Sequence, residues 1–201
     1  MSWIKTQSYD ESDGTLRKLY DRVKGPDEDI DNILQVHSLR PHTLAGHMAL
    51  YKNVLHHSSN TLPKWLLETI GVYVSLLNKC SYCVEHHFEG LRALLDDDAR
   101  ATAIRKALET NTLTEVFDAR EQAVLGYAWI LTRVPAEMTP HHLGELRMVG
   151  LTDGEILEVN QVTGYFAYAN RTVLGLGVIT EGDILGRSPS NSDNPDDWQH
   201  R

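Results

Sequence analysis

Apolar residues recur at the spacing of an α-helix along most of the chain, and this pattern limits the folds that the sequence can adopt. In the first such segment, Leu16, Leu19, Tyr20 and Val23 follow the i, i+3, i+4, i+7 spacing of one helical face. No segment alternates apolar and polar residues convincingly over the length of a strand. The sequence therefore predicts an all-α fold of amphipathic helices around a shared core.

Several signals predict where the later helices begin and end. The segments Thr112–Glu115 and Thr152–Glu155 each place a Glu three residues after a Thr, as in a capping box. They predict helices that reach Arg133 and about Leu174. A third helix is predicted from Pro63 to about Leu77, and the next one is expected to begin at about residue 78 and to end at about residue 95.

Length and composition indicate one domain with a polar tail. The chain has 201 residues, of which 41% are hydrophobic and 23% are charged, as is ordinary for a globular protein. We assign residues 1–185 to a single all-helical domain. Residues 186–201 are rich in Ser, Asn, Asp and Pro, and we expect them to form a disordered tail.

The charge balance argues against two classes of partner. With 19 basic and 28 acidic residues the net charge is −9, and no cluster of Lys and Arg is present to bind nucleic acid or an anionic membrane. The longest apolar stretch, Ala123–Leu131, is far shorter than the roughly 20 residues that a membrane span needs. The first ten residues have no apolar signal region, and we expect a cytoplasmic protein.

The only two cysteines lie together in Cys80-Ser81-Tyr82-Cys83. In a reducing compartment, a lone CxxC is more often redox-active or metal-binding than structural. At 100° per residue, His87 falls on the helical face shared by both sulfurs, one turn after Cys83. His86 falls on the other side of Cys83, where it can face water. A base one turn from a thiol is what an activated thiolate needs.

The neighbouring helix carries an unusual carboxylate. Glu68 lies in the predicted helix Pro63–Leu77, which is apolar nearly all round, and a buried carboxylate is costly without a partner or a function. On one unbroken helix Glu68 would lie about 18 Å from Cys80, so it reaches the thiols only if the chain turns near Asn78. If Asn78 caps the next helix, the helix N-terminus lowers the pKa of the thiols.

These residues resemble the site pattern of alkylhydroperoxidase D, in which a Glu is followed at this spacing by Cys-x-x-Cys-x-x-x-His. The segment Gly150–Glu155 is similar to a helix start of the wider carboxymuconolactone decarboxylase superfamily. Further segments look most like its branch of uncharacterised peroxidase-related proteins, and the resemblance covers roughly Ile30 to Thr180. These segments are Val36–Pro41, Tyr168–Arg171 and Gly175–Val178.

The resemblance implies an alkylhydroperoxidase D-like helical bundle with thiol-dependent hydroperoxide reductase activity of the peroxiredoxin type. Cys83 would attack the peroxide, Cys80 would resolve the sulfenic acid, His87 would be the adjacent base and Glu68 the far end of a proton relay. It also implies a small hydroperoxide as substrate, an external dithiol or thiol protein as reductant, no haem, flavin or metal cofactor, and a homo-oligomer, either a trimer or a hexamer built from dimers.

One position departs from the family pattern. Alkylhydroperoxidase D has a His between the cysteines that takes part in the relay, and Tyr82 stands there in this chain. A tyrosine donates a hydrogen bond but is a poor base, because its ordinary pKa is about 10. Tyr82 and His86 are therefore only supporting candidates. The Tyr in place of the relay His puts efficient turnover of peroxide in question.

Other interpretations of the same residues remain open. The thiols could bind zinc or be inert, although no second ligand pair completes a zinc site. Glu68 could pair with Lys64 one turn earlier, and His37 and His47 fit a packing role on apolar faces. Among functions, the alternatives are a general disulfide oxidoreductase and a non-catalytic redox-sensing oligomer, while a decarboxylase would leave the dithiol without a role.

Overall fold

The computed structural model describes residues 2–201, which form α-helices joined by turns and loops, with two isolated β-bridges and no sheet within this range. The prediction of an all-α fold is confirmed. No helix in the described range is both long enough and apolar enough to span a bilayer. The helices are α1 (Gly14–Val23), α2 (Asn32–Gln35), α3 (Pro41–Leu55), α4 (Lys64–Leu77), α5 (Ser81–Leu95), α6 (Asp98–Thr110), α7 (Ala119–Arg133), α8 (Pro140–Met148) and α9 (Asp153–Leu176).

Helix α4 lies at the centre of the fold, packed against α5, α7 and α9. Every residue from Leu66 to Ser75 is buried, as the nearly all-round apolar pattern of this helix predicts. Gly71 lets α9 approach closely, because a Cβ at this position would lie 2.2 Å from the ring of Phe166. The Phe166 ring in turn packs edge-on against the imidazole of His87, so this contact also helps to position the candidate site.

The connection between α4 and α5 differs from the expected helix start. The backbone N–H of Asn78 still bonds to Val74 O, so Asn78 ends α4 instead of capping α5. Lys79 then adopts a left-handed conformation with φ 59°, and Cys80 becomes the N-cap residue of α5. The tight reversal folds α5 back along α4. It supplies the chain turn that Glu68 needs to approach the thiols.

One of the two predicted capping boxes is confirmed and the other is wrong. Thr152 and Glu155 bond to each other's backbone N–H groups at the start of α9. The segment Thr112–Glu115 contains only a short 3-10 turn, and α7 begins at Ala119. A different capping box, formed by Asp118 and Glu121, starts α7 immediately before its apolar residues.

Residues 186–201, which we call the return segment, pack against the helices, although their composition predicts a disordered tail. Lys52 is fully buried, and its ammonium donates a hydrogen bond of 2.6 Å to the carbonyl of Ser190. Trp198 is buried beneath the guanidinium of Arg22, at 3.7 Å from its ring centroid. The return segment is therefore held by polar partners that the helices supply. The residue composition of the segment alone cannot predict these partners.

Candidate active site

Cys80 and Cys83 lie side by side at the start of α5. Both are free thiols, their sulfurs are 3.1 Å apart, and their exposed fractions are 0% and 2%. They belong to a small apolar cluster in which Val173 at the end of α9 takes part. Because the sulfurs are already in contact, a disulfide between them requires only a small rearrangement of side chains.

The two thiols ionise differently because they share one hydrogen bond. The bond with Cys83 lowers the pKa of the Cys80 thiol, and a further bond to the backbone at Cys83 has the same direction. The bond with Cys80, followed by burial, raises the pKa of the Cys83 thiol well above its ordinary value. The pKa of Cys80, the N-cap residue of α5, is therefore the lower of the two.

Glu68 and His87 are in direct contact. The Glu68 carboxylate Oε2 lies 2.7 Å from Nδ1 of His87, and both side chains are largely withdrawn from water. Lys64 forms no ion pair with Glu68 within the described residues, so the structure does not support that alternative. A carboxylate at Nδ1 keeps the proton of a neutral imidazole on that nitrogen and leaves Nε2 as the basic one.

His86 does not face water, although its position on the helix would allow it. His86 is buried, and its Nε2 lies 3.1 Å from Oδ2 of Asp183, which also accepts a 2.6 Å hydrogen bond from the Tyr82 hydroxyl. The chain that follows α9 covers this face of α5, and the periodicity of α5 alone does not reveal that cover. The hydroxyl of Tyr82 and the imidazole of His86 are thus engaged in holding this segment.

Cys83 lines a small cavity, whereas Cys80 lies behind it. The cavity has a volume of about 40 Å³, a few times the space that one water molecule needs. His87 and Glu68 line the same cavity, so the structure brings together three of the four residues predicted to carry the chemistry. Cys80 reaches the cavity only through its contact with Cys83.

The further residues that line this cavity include Asp31, Tyr51, Tyr165 and His200, which the sequence alone does not mark as site residues. The rings of Tyr51 and Tyr165 stack with centroids 5.4 Å apart, and burial raises the pKa of both phenols well above the ordinary value. Both tyrosines fall on apolar helical faces and resemble core residues, so periodicity gives no signal of their position at the cavity.

His47 fits the packing role expected for it. It is buried among the rings of Tyr51, Tyr165 and Tyr168, and burial lowers its pKa to about 3. Asn170, on α9, bonds to Ser75 and to Asn78 and so links α9 to the end of α4 beside the thiols. The hydrogen bond from Asn170 is also a minor influence that lowers the pKa of Cys83.

We expect the purified protein to carry well under one zinc per chain. Within residues 2–201, no group of three or more His, Cys, Asp or Glu side chains has an arrangement that could hold a metal ion. His87 is turned to Glu68 and His86 to Asp183, which leaves two thiols where a structural zinc site needs four ligands. Elemental analysis measures this directly. A stoichiometric zinc whose removal by a chelator abolishes activity would contradict the expectation.

No protein-family model matches the sequence, and no curated protein is similar to it. Solved structures do resemble it. The alkylhydroperoxidase AhpD core of an uncharacterised peroxidase-related protein from Ralstonia eutropha JMP134 has 22% identity and a TM-score of 0.76, over 89% of this chain and 91% of the other. An uncharacterised peroxidase-related protein from Silicibacter sp. TM1040 has 28% identity and a TM-score of 0.66, over 73% and 74% of the two chains.

A third similar structure carries a different activity. The debrominase Bmp8 has 16% identity and a TM-score of 0.64, over 82% of this chain and 83% of that one. Proteins with this helical architecture therefore differ in the chemistry they perform, and a function must be argued from the site.

Proposed function

Because the chain has the alkylhydroperoxidase D-like fold, we propose that it is a thiol-dependent hydroperoxide reductase. One observation carries the proposal: Cys83 faces a cavity that it shares with the hydrogen-bonded His87–Glu68 pair, and a second thiol lies 3.1 Å behind it. A nucleophile, a base with its orienting carboxylate and a resolving thiol are the parts that such a reaction needs.

The proposed reaction begins at Cys83. Its thiolate attacks one oxygen of the hydroperoxide, the O–O bond breaks, and the other oxygen leaves as an alcohol after gaining a proton. Cys83 is then a sulfenic acid, and Cys80 attacks its sulfur to form a disulfide and release water. An external dithiol or a thiol protein reduces the disulfide by exchange and returns both thiols.

The protons have a defined route in this proposal. His87 Nε2 takes one proton from the dithiol, and Glu68 stabilises the resulting imidazolium through Nδ1. The remaining proton is shared across the hydrogen bond between the sulfurs. Attack by Cys83 takes place from the form in which this proton lies on Cys80, which is the less stable of the two forms because the pKa of Cys83 is raised.

The cavity at Cys83 suits a small reacting group. A volume of about 40 Å³ accommodates a few water molecules, and a hydroperoxide group is of that size. Both sulfurs are buried, so exchange of the Cys80–Cys83 disulfide with an external thiol requires the site to open. Attack on a hydroperoxide group at Cys83 requires less access than this exchange.

Steady-state turnover of an alkyl hydroperoxide with a dithiol donor tests the proposal. We expect consumption that requires both the dithiol and Cys83, with a Cys83→Ser protein as the baseline. A wild-type protein that reduces disulfide substrates but leaves every hydroperoxide intact would instead support the general oxidoreductase. We further propose a cytoplasmic location, where the reductants that keep such thiols reduced are present.

We also propose that the protein is a homo-oligomer, either a trimer or a hexamer built from dimers. Large apolar side chains on three helices are exposed: Trp129 on α7, Met148 on α8, and Leu157 and Leu174 on α9. Met148 alone has an exposed fraction of 77%. Exposed apolar side chains on neighbouring elements are typical of surfaces that a second copy covers.

Light scattering at micromolar concentration is expected to return a mass several times that of the 22.7 kDa chain. Met148→Lys should weaken assembly if α8 lies in the interface, because the new charge would have to be desolvated. The exposed Lys5→Met substitution, which removes a charge outside this surface, is a matched control. A wild-type mass of 22.7 kDa would contradict the proposal.

A further inference from the structure

The return segment contributes an imidazole to the cavity that contains Cys83. His200 has an exposed fraction of 5% and lines the cavity together with Cys83 and His87. The backbone N–H of His200 bonds to Val23 O, which fixes this part of the return segment against the end of α1. The cavity is therefore closed on one side by residues that lie more than a hundred positions from the CxxC motif.

Asp31 orients this imidazole. Its Oδ2 lies 2.8 Å from Nδ1 of His200, and both side chains are only 6% exposed. The other ring nitrogen, Nε2, is buried and has no hydrogen-bond partner among the described residues. A buried polar atom without a partner is costly, and in a cavity-lining residue it indicates a bonding site for a molecule that enters the cavity.

Two imidazole–carboxylate pairs thus line one cavity. The ring of Tyr51 lies close to both imidazoles, with centroid distances of 6.2 Å to His87 and 6.3 Å to His200. Both imidazoles bond to their carboxylate through Nδ1 and leave Nε2 for other partners. The two pairs are therefore built alike, and each has a ring nitrogen through which a proton can be transferred.

We propose that His200 is the catalytic acid that protonates the leaving oxygen of the hydroperoxide. This role rests on the proposed function. Cys83 gives up its proton on one side of the reacting O–O bond, where His87 accepts it, while the oxygen that departs on the other side needs a proton. His200 in its protonated form donates from Nε2, and Asp31 holds the ring and balances its charge.

Atoms and charges balance in this step. The Cys83 sulfur forms a bond to one peroxide oxygen, the O–O bond breaks, and the thiol is oxidised as the peroxide is reduced. The leaving alkoxide takes the proton of His200 and departs as an alcohol. His87 releases the proton of Cys83 to solvent, and His200 regains one from solvent, so the net reaction converts a thiol and a hydroperoxide to a sulfenic acid and an alcohol.

The leaving group offers a sharp test. An alkoxide is strongly basic and needs an acid to leave, whereas the acetate released from peracetic acid leaves readily without a proton. The rate of thiol oxidation in a single turnover is measured with tert-butyl hydroperoxide and with peracetic acid. For His200→Gln, we expect a loss of about a hundredfold with the first peroxide and a change of less than about threefold with the second.

Matched variants separate this role from a structural one. Trp198→Ala loosens the segment that carries His200, so any loss that it causes should also be larger with tert-butyl hydroperoxide than with peracetic acid. Asp31→Asn keeps the imidazole but weakens its orientation, so it should show the selectivity of His200→Gln with a smaller loss. His57, which bridges to Ser192 of the return segment and does not line the cavity, serves as the control in His57→Gln. That variant should resemble the wild type with both peroxides.

The outcomes are distinct. Equal losses with both peroxides in a folded His200→Gln protein, or no loss with either, would overturn the role of His200 while the peroxidase activity stands. A wild-type protein whose thiols react with neither peroxide would overturn the proposed function, and this role with it. Circular dichroism establishes that the variant is folded, and if His200→Gln does not fold, the same comparison is made with Asp31→Asn.

Discussion

Cys83→Ser should abolish peroxide reduction, whereas Cys80→Ser should react with peroxide once and then stop. The first change removes the thiol that faces the cavity, and with it the nucleophile. The second keeps the nucleophile but removes the thiol that lies 3.1 Å behind it and resolves the intermediate. Cys83 of the Cys80→Ser protein should therefore remain a sulfenic acid and over-oxidise with excess peroxide.

Mass spectrometry after treatment with dimedone distinguishes the two roles. We expect an adduct on Cys83 in the Cys80→Ser protein and none on Cys80 in the Cys83→Ser protein. This experiment separates access from ionisation, because Cys83 faces the cavity whereas the shared hydrogen bond makes Cys80 the thiol of lower pKa. An adduct on Cys80 alone would reverse the assignment and show that ionisation, and not access to the cavity, selects the nucleophile.

Replacing Glu68 or His87 by Gln should lower the rate of peroxide reduction by about 10² to 10⁴, the range of acid–base contributions. The two residues share a 2.7 Å hydrogen bond, so the double variant should lose little more than either single variant. The loss should diminish as the pH rises, because hydroxide then removes the proton of the buried Cys83 thiol. Rapid-mixing measurement of thiol oxidation from neutral to alkaline pH checks both points.

His86→Gln is the matched control for this prediction. His86 precedes His87 on the same helix and also lines the cavity, but its Nε2 is turned to Asp183. Its loss should weaken the hold on the segment after α9 and lower the free energy of unfolding by about 1–3 kcal/mol, with a rate within a few-fold of the wild type. Equal rate losses at His86 and His87 would mean that the proton route through His87 is wrong.

The helices and one part of the site could be predicted because their signals are local. The burial of α4 follows from its apolar residues, and the start of α9 follows from Thr152 and Glu155. The angular position of His87 relative to the CxxC motif follows from helix geometry. The meeting of Glu68 with His87 follows once the chain is allowed to turn between α4 and α5.

The remainder of the site depends on contacts between distant segments. His86 is buried because Asp183 returns to α5, almost a hundred residues later in the chain. The return segment packs against the helices through buried polar partners at Lys52 and Asp31, whereas its polar composition by itself favours disorder. His200 has no sequence neighbour that would mark it as part of a site.

The start of α5 shows how a small shift changes chemistry. A helix that began at Asn78 would place both sulfurs within its first two turns and lower both thiol pKa values. With Cys80 as the N-cap residue, the sulfurs contact each other and their pKa values move in opposite directions. The left-handed conformation of Lys79 determines this register, and a Lys carries no sequence signal for that conformation.

The stoichiometry of a single turnover tests the central claim most directly. The reduced protein is mixed with a limiting amount of an alkyl hydroperoxide in the absence of any other thiol, and the free thiols, the alcohol formed and the mass of the chain are measured. A dithiol peroxidase should lose two thiols for each peroxide consumed, release one alcohol, and form a disulfide between Cys80 and Cys83 within one chain. Intact peroxide beside two intact thiols, or a disulfide only between chains, would contradict the account.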